Sequence, residues 1–241
     1  MDELRSTNLI AHRGASARYL ENTYPAFVCA GKDDNFFGIE ADVQVTLDNQ
    51  FIVYHDNNLK RLNGNKIKIS ETPWFLLKKY KLFDKNEPLY DIGYSICSFS
   101  QYLKICKKYK KTAVIELKAS FTQKELNKLI KIIQKQHYLK NVIFISFQQK
   151  ILMYLRQMLP YVPLQLLVKS PLARPLTQCV KYNWDISIHY ALIKKELVSQ
   201  FHNFGLKVGV WTVNNLETAK KMCDLGVDYI TSDYSFSINN L

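Results

Sequence analysis

The sequence predicts a (β/α)8 TIM barrel, an α/β fold in which eight parallel strands alternate with helices. Short β-branched, apolar runs alternate with longer helical segments along the 241 residues, and this order implies parallel strands joined by right-handed crossovers. A doubly wound open sheet would need a Gly-rich phosphate-binding turn after its first strand, and the sequence has none there.

Eight short runs rich in Val, Ile and Leu are predicted to form the barrel strands. They are Leu9–Ala11, Gly38–Val43, Ala113–Leu117, Val142–Ser146, Leu164–Val168, Asp185–Ile188, Lys207–Val210 and Tyr229–Thr231. A further run, Phe51–Tyr54, follows Val43 across a short Asp48-Asn49 turn. We expect it to form an added hairpin arm outside the barrel.

Seven segments with helical periodicity lie between these strands. They are Tyr24–Gly31, Phe99–Tyr109, Gln123–Gln136, Gln148–Met158, Leu176–Tyr182, Lys194–Phe204 and Leu216–Leu225. Asn22 and Thr23 are candidate caps of the first helix, and Pro25 lies near its first turn, where proline is favoured.

One long stretch, about residues 57–98, is irregular and contains Pro73 and Pro88. It is predicted to be a short insertion in the second βα connection that packs over one end of the barrel. No linker or composition shift divides the chain, so residues 1–241 are expected to form one domain.

The composition is that of a globular protein, with 47% hydrophobic residues and a net charge of 33 − 21 = +12. The longest apolar runs, such as Val142–Ile145, are too short to span a membrane, and the N-terminus lacks the pattern of a secretory signal. Five scattered cysteines without a C-x-x-C pair suit reduced thiols. We therefore expect a cytoplasmic protein without a membrane span, and the sequence gives no oligomeric state.

The positive charge raises the possibility of a nucleic-acid-binding protein, because Lys and Arg release counterions from phosphate backbones. The densest basic run, Lys104–Lys111, alternates with apolar residues at helical spacing. This pattern is typical of the solvated face of an amphipathic helix, so no nucleic-acid partner is expected.

Functional residues of such barrels gather at the carboxyl ends of the strands. The polar or aromatic residues at these ends are His12, Arg13, Glu40, Asp42, His55, Glu116, Lys118, Ser146, His189 and Trp211.

Three of these residues are acidic. Glu40 and Asp42 are two residues apart in a strand, so their side chains share one face, and Glu116 is expected to point into the same barrel mouth. Clustered carboxylates repel each other unless a cation or a proton intervenes. Three oxygen donors without cysteine indicate a hard divalent cation, Mg²⁺ or Ca²⁺.

His12 and His55 lie beside this acidic cluster and form a plausible general acid and base, because imidazole titrates near neutral pH. Arg13 and Lys118 supply the fixed positive charge that a phosphate group needs. These residues together predict metal-assisted cleavage of a phosphodiester.

The sequence resembles the glycerophosphodiester phosphodiesterase family from Leu9 to Asp233. The resemblance is carried by these blocks: Ile10-Ala11-His12-Arg13-Gly14, Glu21-Asn22-Thr23, Ile39-Glu40-Ala41-Asp42-Val43, His55-Asp56 with Leu59 and Arg61, Ile115-Glu116-Leu117-Lys118, Ser146-Phe147, Trp211-Thr212-Val213-Asn214, and Gly226-Val227-Asp228-Tyr229-Ile230 with Ser232-Asp233. Two departures from the family pattern are Leu20 in place of proline and Cys97–Gln101 in place of an acidic stretch.

The resemblance implies a small-molecule glycerophosphodiester substrate that is cleaved to glycerol 3-phosphate and an alcohol. It implies a divalent metal on Glu40, Asp42 and Glu116, acid/base catalysis by His12 and His55, Arg13 and Lys118 at the phosphate, and Trp211 as an apolar wall for the glycerol moiety. His189 is added as a candidate substrate-binding residue from its place at a strand end.

For the histidines we favour His12 as the base and His55 as the acid, although sequence order does not decide this. The attacking group can be water or the glycerol hydroxyl of the substrate, which would form a cyclic phosphate.

Two other functions stay open. A lysophospholipase D or a phosphatidylinositol-type phospholipase C would need an apolar rim, for which Trp74–Leu77 is the candidate, although a helix packed on the barrel is favoured for that segment. A barrel without catalytic activity could act as a basic nucleic-acid-binding or scaffold protein.

Overall fold

The fold is built from short strands that alternate with helices. The computed structural model describes residues 7–83, 93–118, 120–170 and 175–237. The strands within these residues are β1 (Asn8–Ala11), β2 (Phe36–Val45), β3 (Phe51–Val53), β4 (Lys81–Leu82), β5 (Tyr94–Ser95), β6 (Cys97–Ser98), β7 (Thr112–Leu117), β8 (Val142–Ser146), β9 (Leu164–Val168), β10 (Asp185–His189), β11 (Val208–Trp211) and β12 (Tyr229–Ser232).

The α-helices in the described ranges are α1 (Tyr24–Lys32), α2 (Lys60–Asn63), α3 (Trp74–Leu77), α4 (Phe99–Lys108), α5 (Gln123–Lys135), α6 (Gln149–Met158), α7 (Pro175–Tyr182), α8 (Lys195–Asn203) and α9 (Leu216–Leu225). Single 3-10 turns span Ile69–Glu71, Leu139–Asn141 and Tyr190–Leu192. None of the described helices combines the length and the apolar character needed to cross a membrane.

Eight strands close into a parallel barrel, in the order β1, β12, β11, β10, β9, β8, β7 and β2, and β2 pairs with β1 to complete the circle. The predicted fold class is therefore confirmed, and so are the eight barrel strands, to within a few residues at their ends. An open doubly wound sheet is excluded because the β1–β2 pairing closes the ring, so that each of the eight barrel strands has a parallel neighbour on both sides.

The strand β2 is longer than predicted. It extends to Val45, and residues Val43 to Val45 pair antiparallel with β3. The run at residues 51–53 is thus the hairpin arm that the short turn predicts, and β6 extends this arm on its other edge. The pairing lengthens β2 past the barrel, because its last residues gain hydrogen bonds from β3.

Alternation along each strand separates two environments. Ile10, Val114, Ile143, Ile145, Leu167 and Tyr229 fill the barrel interior. In β2, Ile39, Ala41 and Val43 belong to the larger core between the barrel and its helices. Since Glu40 and Asp42 alternate with these three residues, the pleat turns both carboxylates to the inside of the barrel.

Helix starts follow the expected capping chemistry in several places. Ser98 and Gln101 form a reciprocal capping box at α4, and Thr122 and Glu125 form one at α5. The departure from the family pattern at residues 97–101 therefore still starts a helix.

The capping expectation for α1 is wrong in its detail. Thr23 occupies the N-cap position, but its hydroxyl donates to the carbonyl of Leu20 and caps no helical N–H. Asn22 has a positive φ of 56° and turns its side chain toward Asp42. Both polar groups serve the loop and the site, so the helix begins without a side-chain cap.

The insertion after β3 packs around a core of its own. This second cluster consists of Leu20, Ile52, Tyr54, Leu59, Leu62, Ile69, Leu77, Leu82 and Ile96. Residues Trp74–Leu77, the candidate apolar rim, form the short helix α3. This helix buries Leu77 in that cluster and exposes Phe75. Pro88 lies outside the described residues. That residues 1–241 form one domain remains our proposal.

The basic run at residues 104–111 is solvated except at its end. Lys104, Lys107, Lys108 and Lys110 are exposed on α4 and after it, as the helical spacing predicts. Lys111 is instead 8% exposed, and its ammonium donates to the carbonyls of Asp33 and Phe36 at 2.9 and 2.7 Å. This lysine therefore fastens the loop that leads into β2.

Replacing Lys111 with Ala is expected to lower the free energy of unfolding by about 1–3 kcal/mol, because two main-chain carbonyls lose a charged donor in a buried place. Urea unfolding measures this change. Lys104→Ala removes an exposed lysine from the same basic run and should change stability by less than about 0.5 kcal/mol. Equal effects of the two substitutions would contradict the structural role of Lys111.

Candidate active site

Three carboxylates meet at the mouth of the barrel, as their strand positions predict. Glu40 and Asp42 come from β2, and the parallel register places Asp42 directly beside Glu116 of β7. One carboxylate oxygen from each residue lies within 4.8 Å of the others. The cluster is thus fixed by backbone pairing between two neighbouring strands.

The carboxylates are buried, with 2% of Glu40, 1% of Asp42 and 9% of Glu116 exposed. Glu40 accepts the Arg13 main-chain N–H at 2.8 Å with one oxygen, and its other oxygen has no hydrogen-bond partner among the described residues. Burial and the charge of Asp42 raise the pKa of Glu40 far above its usual range, and they raise the pKa of Glu116 to about 7.

Two cations face this cluster. The Arg13 guanidinium lies 3.2 Å from Asp42, and the Lys118 ammonium lies 3.1 Å from Glu116 and 3.4 Å from Asp42. Burial alone would raise the pKa of Asp42, but the charges of Arg13 and Lys118 lower it below its usual value. Asp42 is therefore the member of the trio that stays ionised most readily.

Each of the two candidate catalytic histidines is held by an aspartate. His12 Nδ1 lies 2.7 Å from an oxygen of Asp233, and His55 Nδ1 lies 2.7 Å from an oxygen of Asp56. A carboxylate accepts hydrogen bonds, so Nδ1 carries the proton in both pairs and Nε2 is left for substrate. Both rings are fixed in one tautomer.

The two pairs differ in their electrostatics. Burial lowers the pKa of His55. The charge of Asp42 opposes this shift, whereas the charges of Arg13 and Lys118 lower the pKa further. Despite burial, the hydrogen bond and charge of His12 lower the pKa of Asp233 to about 2. His55 is therefore biased toward its neutral form.

Sequence reasoning missed the partners that hold these groups. Asn22 donates to Asp42 at 2.8 Å, and Ser16 donates to Asp233 at 2.8 Å. Glu21 accepts from Arg13 at 2.9 Å. Glu21, Asn22, Asp56 and Asp233 all lie inside the motif blocks, so their membership of these blocks was the available signal.

The site opens into a cavity of about 530 Å³. Its polar lining consists of His12, Arg13, Glu40, His55, Glu116, Lys118, Lys169, Ser187, Thr212 and Thr231. Its apolar wall includes Ile145, Phe147, Leu167 and Trp211. The cavity therefore combines a strongly charged end with an apolar side.

Trp211 presents its ring to this cavity. The indole N–H donates to the carbonyl of Ser187 at 3.1 Å, so the donor is occupied inside the barrel. Phe147 packs edge-on against the indole at 5.7 Å between ring centroids. His189 packs against the same indole at 5.6 Å, and its Nδ1 accepts from the Ala191 N–H. His189 does not line this cavity.

A second cavity of about 540 Å³ adjoins the first. His12 and Arg13 line both cavities, so these two residues stand at the junction. The other walls come from the insertion and from the loops after β1, β11 and β12, and they include Glu21, Arg61, Leu62, Asn214, Asp233 and Tyr234.

The acidic cluster fits a hard divalent cation. All three donors are carboxylate oxygens, which Mg²⁺ and Ca²⁺ prefer, and Glu40 holds a buried oxygen without a partner among the described residues. The expectation of a metal site is thus supported by the donor set.

Residues 12–235 match the model of the glycerophosphoryl diester phosphodiesterase family. A glycerophosphodiester phosphodiesterase of Caldanaerobacter subterraneus is 29% identical over 98% of this chain and 97% of its own length. A lysophospholipase D of Homo sapiens is 24% identical over 93% of this chain and 82% of its own length.

Among solved structures, a phosphodiesterase of Oleispira antarctica in complex with the product sn-glycerol-3-phosphate shares the fold. Its TM-score is 0.88 at 23% identity, with 98% of this chain and 96% of that chain covered.

Replacing Glu116 with Gln tests the cluster through protein stability. With a folded pKa of about 7 against an ordinary value of 4.5, Glu116 binds a proton more tightly when folded, so the stability of the metal-free protein falls as pH rises from about 4.5 to 7. The variant should lose this part of the pH dependence. At pH 8 its metal-free Tm should rise by about 2–4 °C for each kcal/mol of repulsion removed.

Mg²⁺ or Ca²⁺ should raise the Tm of the wild type and raise that of Glu116→Gln much less. Thermal unfolding with chelator and with each ion gives both comparisons. Equal stabilisation of the two proteins by the ion would show that Glu116 does not bind it.

Proposed function

The chain belongs to the glycerophosphoryl diester phosphodiesterase family, and we propose that it is an enzyme that hydrolyses glycerophosphodiesters to glycerol 3-phosphate and an alcohol. One observation carries the proposal. Two members of the buried carboxylate trio, the cations Arg13 and Lys118, and two aspartate-held histidines line one cavity that also has an apolar wall. The name of the Caldanaerobacter relative and the product held by the Oleispira phosphodiesterase support the same reaction.

Arg13 and Lys118 bind the phosphate in this proposal. Both cations line the cavity, and both remain charged because their carboxylate neighbours raise their pKa against the effect of burial. Fixed positive charge stabilises the phosphate more in the transition state, where negative charge builds on its oxygens.

Glu40, Asp42 and Glu116 would hold the divalent ion, Mg²⁺ or Ca²⁺. When bound, such an ion polarises substrate oxygens and stabilises developing negative charge. The trio itself keeps the ion at the charged end of the cavity, and Asn22 and Lys118 hold the carboxylates in place.

His12 and His55 divide the proton transfers. His55 lines the first cavity and has a lowered pKa, which suits a base that must be neutral at the start. His12 lines both cavities, so it can reach a leaving alcohol in the second. We therefore assign His55 as the base and His12 as the acid, the reverse of the preference from the sequence.

The two arms of the substrate then occupy different cavities. The phosphate lies at the junction beside Arg13, and the glycerol arm lies near the trio and the face of Trp211. The alcohol arm extends into the second cavity, between the insertion and Asp233. His189 acts indirectly in this arrangement, because its ring supports Trp211.

A second candidate is lysophospholipase D activity. The apolar wall of Ile145, Phe147 and Leu167 beside Trp211 could accept an acyl chain on the glycerol arm, and the human relative carries that name. The same wall serves unsubstituted glycerol in the main proposal. The cytoplasmic location stays a prediction.

The substrate class is tested with a panel of glycerophosphocholine, glycerophosphoethanolamine, glycerophosphoglycerol and lysophosphatidylcholine. We expect release of glycerol 3-phosphate from the first three, with loss of activity in chelator and recovery with Mg²⁺ or Ca²⁺. Coupled detection of glycerol 3-phosphate gives the rates for the first three substrates, and detection of released choline gives the rate for lysophosphatidylcholine.

Faster cleavage of lysophosphatidylcholine would instead favour the lysophospholipase. Absence of hydrolysis, together with salt-sensitive binding to single-stranded RNA, would favour the inactive basic barrel.

The histidine roles are tested by leaving-group dependence. A nitrophenol needs little protonation as it departs, whereas an alkyl alcohol needs an acid. His12→Ala should therefore lose at least about 100-fold on an alkyl diester and recover much of that rate on a nitrophenyl diester, while His55→Ala stays slow on both.

The opposite pattern would restore the assignment of His12 as base. Activity of both variants within about tenfold of wild type on the alkyl diester would remove histidine catalysis altogether.

A further inference from the structure

A chain of ion pairs connects Arg13, which binds the phosphate in the proposed function, with the catalytic histidine His55. It runs from Arg13 to Glu21, from Glu21 to Arg61, from Arg61 to Asp56, and from Asp56 to His55. Every contact in the chain is 3.0 Å or shorter. Without the Arg61 guanidinium, the Arg13–Glu21 pair and the Asp56–His55 pair would not be connected.

Arg61 joins them through three of its nitrogens. Nη1 and Nη2 donate to the two oxygens of Glu21 at 3.0 and 2.6 Å, and Nε donates to Asp56 at 2.6 Å. A planar guanidinium can hold two carboxylates at fixed angles, whereas an ammonium is a single point charge. The fork therefore sets the distance between Glu21 and Asp56.

The insertion holds this guanidinium in place. Arg61 lies on α2, between Leu59 and Leu62, which are 0% and 5% exposed in the second hydrophobic cluster. The Phe83 N–H also donates to the Leu62 carbonyl. The short helix is thus anchored on both sides of Arg61, although the Arg61 side chain itself is 44% exposed.

We propose that Arg61 is a positioning residue for the reaction, which aligns Arg13 through Glu21 and His55 through Asp56 from within the insertion. This role rests on the proposed function. Arg61 also lines the second cavity, where the alcohol arm is placed, but the two carboxylates transmit its position to groups that line the catalytic cavity whether or not that arm contacts it.

Electrostatics agrees with this geometry. The hydrogen bond from Arg61, together with the charges of Arg13 and Arg61, lowers the pKa of Glu21 despite burial. The bonds from His55 and Arg61 likewise lower the pKa of Asp56. Both carboxylates are therefore ionised and able to accept the hydrogen bonds that the chain requires.

The first test is a mutant cycle measured on glycerophosphoglycerol. Arg61→Ala should lower kcat/KM by about 10–100-fold, the range found for partners that orient catalytic groups. Lys60→Ala is the matched control on the same helix, since Lys60 is exposed and lines neither cavity. It should leave kcat/KM unchanged.

The cycle adds Glu21→Gln and Asp56→Asn. If Arg61 acts through these two carboxylates, Arg61→Ala should have less than about a twofold further effect in the double variant. Independent, multiplying losses would mean that Arg61 acts by another route, through fold stability or through direct contact with the alcohol arm, and this would overturn the proposal.

Guanidinium ion at millimolar concentration should restore part of the Arg61→Ala rate and leave Lys60→Ala unaffected. Arg61→Lys keeps the charge without the fork and should remain impaired. Full activity of the lysine variant would show that charge alone suffices and would contradict the positioning role. This variant also serves if the alanine variant fails to fold.

A readout without substrate separates this proposal from the proposed function. In ¹⁵N histidine NMR spectra, His55 should be fixed as the Nδ1–H tautomer in wild type and Lys60→Ala and should mix tautomers in Arg61→Ala. Unchanged tautomers in Arg61→Ala would overturn the proposal even if the enzyme is active. If the wild type shows no hydrolase activity but Arg61→Ala still changes the His55 tautomer, the positioning role is supported and the proposed function is rejected.

Discussion

Repulsion among three buried carboxylates is the constraint on which the site depends. Glu40, Asp42 and Glu116 cannot all be charged at this separation and burial without a compensating cation or proton. Arg13 and Lys118 neutralise part of this negative charge. The raised pKa of Glu40 and Glu116 shows that the neutralisation is incomplete. The site is held in a state that favours the arrival of a doubly charged cation, and its stability as a fold comes from the apolar layers around it.

The sequence alone predicts most of this arrangement where local periodicity decides it. A strand repeats every two residues, so Glu40 and Asp42 had to share a face once β2 was recognised. The barrel follows from the order of strands and helices, and its closure by β1 and β2 agrees with that reasoning. Helical periodicity failed at Lys111, because this residue lies beyond the end of α4 and its contacts are with the loop before β2.

The orienting partners could not be predicted in this way. His12 and Asp233 are 221 residues apart, and Arg61 and Glu21 are 40 apart. Such contacts depend on how loops meet after the barrel has formed, and no spacing rule describes them. The insertion illustrates the point. Its irregular sequence gave little structural signal, yet it carries α2 and the Arg61 guanidinium, which pairs with Glu21 and Asp56.

Because β1 pairs with β12, the barrel joins the first strand to be synthesised with one that is synthesised more than 200 residues later. His12 is made early on the ribosome, and the aspartate that fixes its ring is added 221 residues later. A nascent chain that ends before Asp233 already contains all three residues of the acidic trio. The His12 imidazole of such a chain lacks its orienting carboxylate, so the His12–Asp233 pair forms only after the residues that follow β12 have been added.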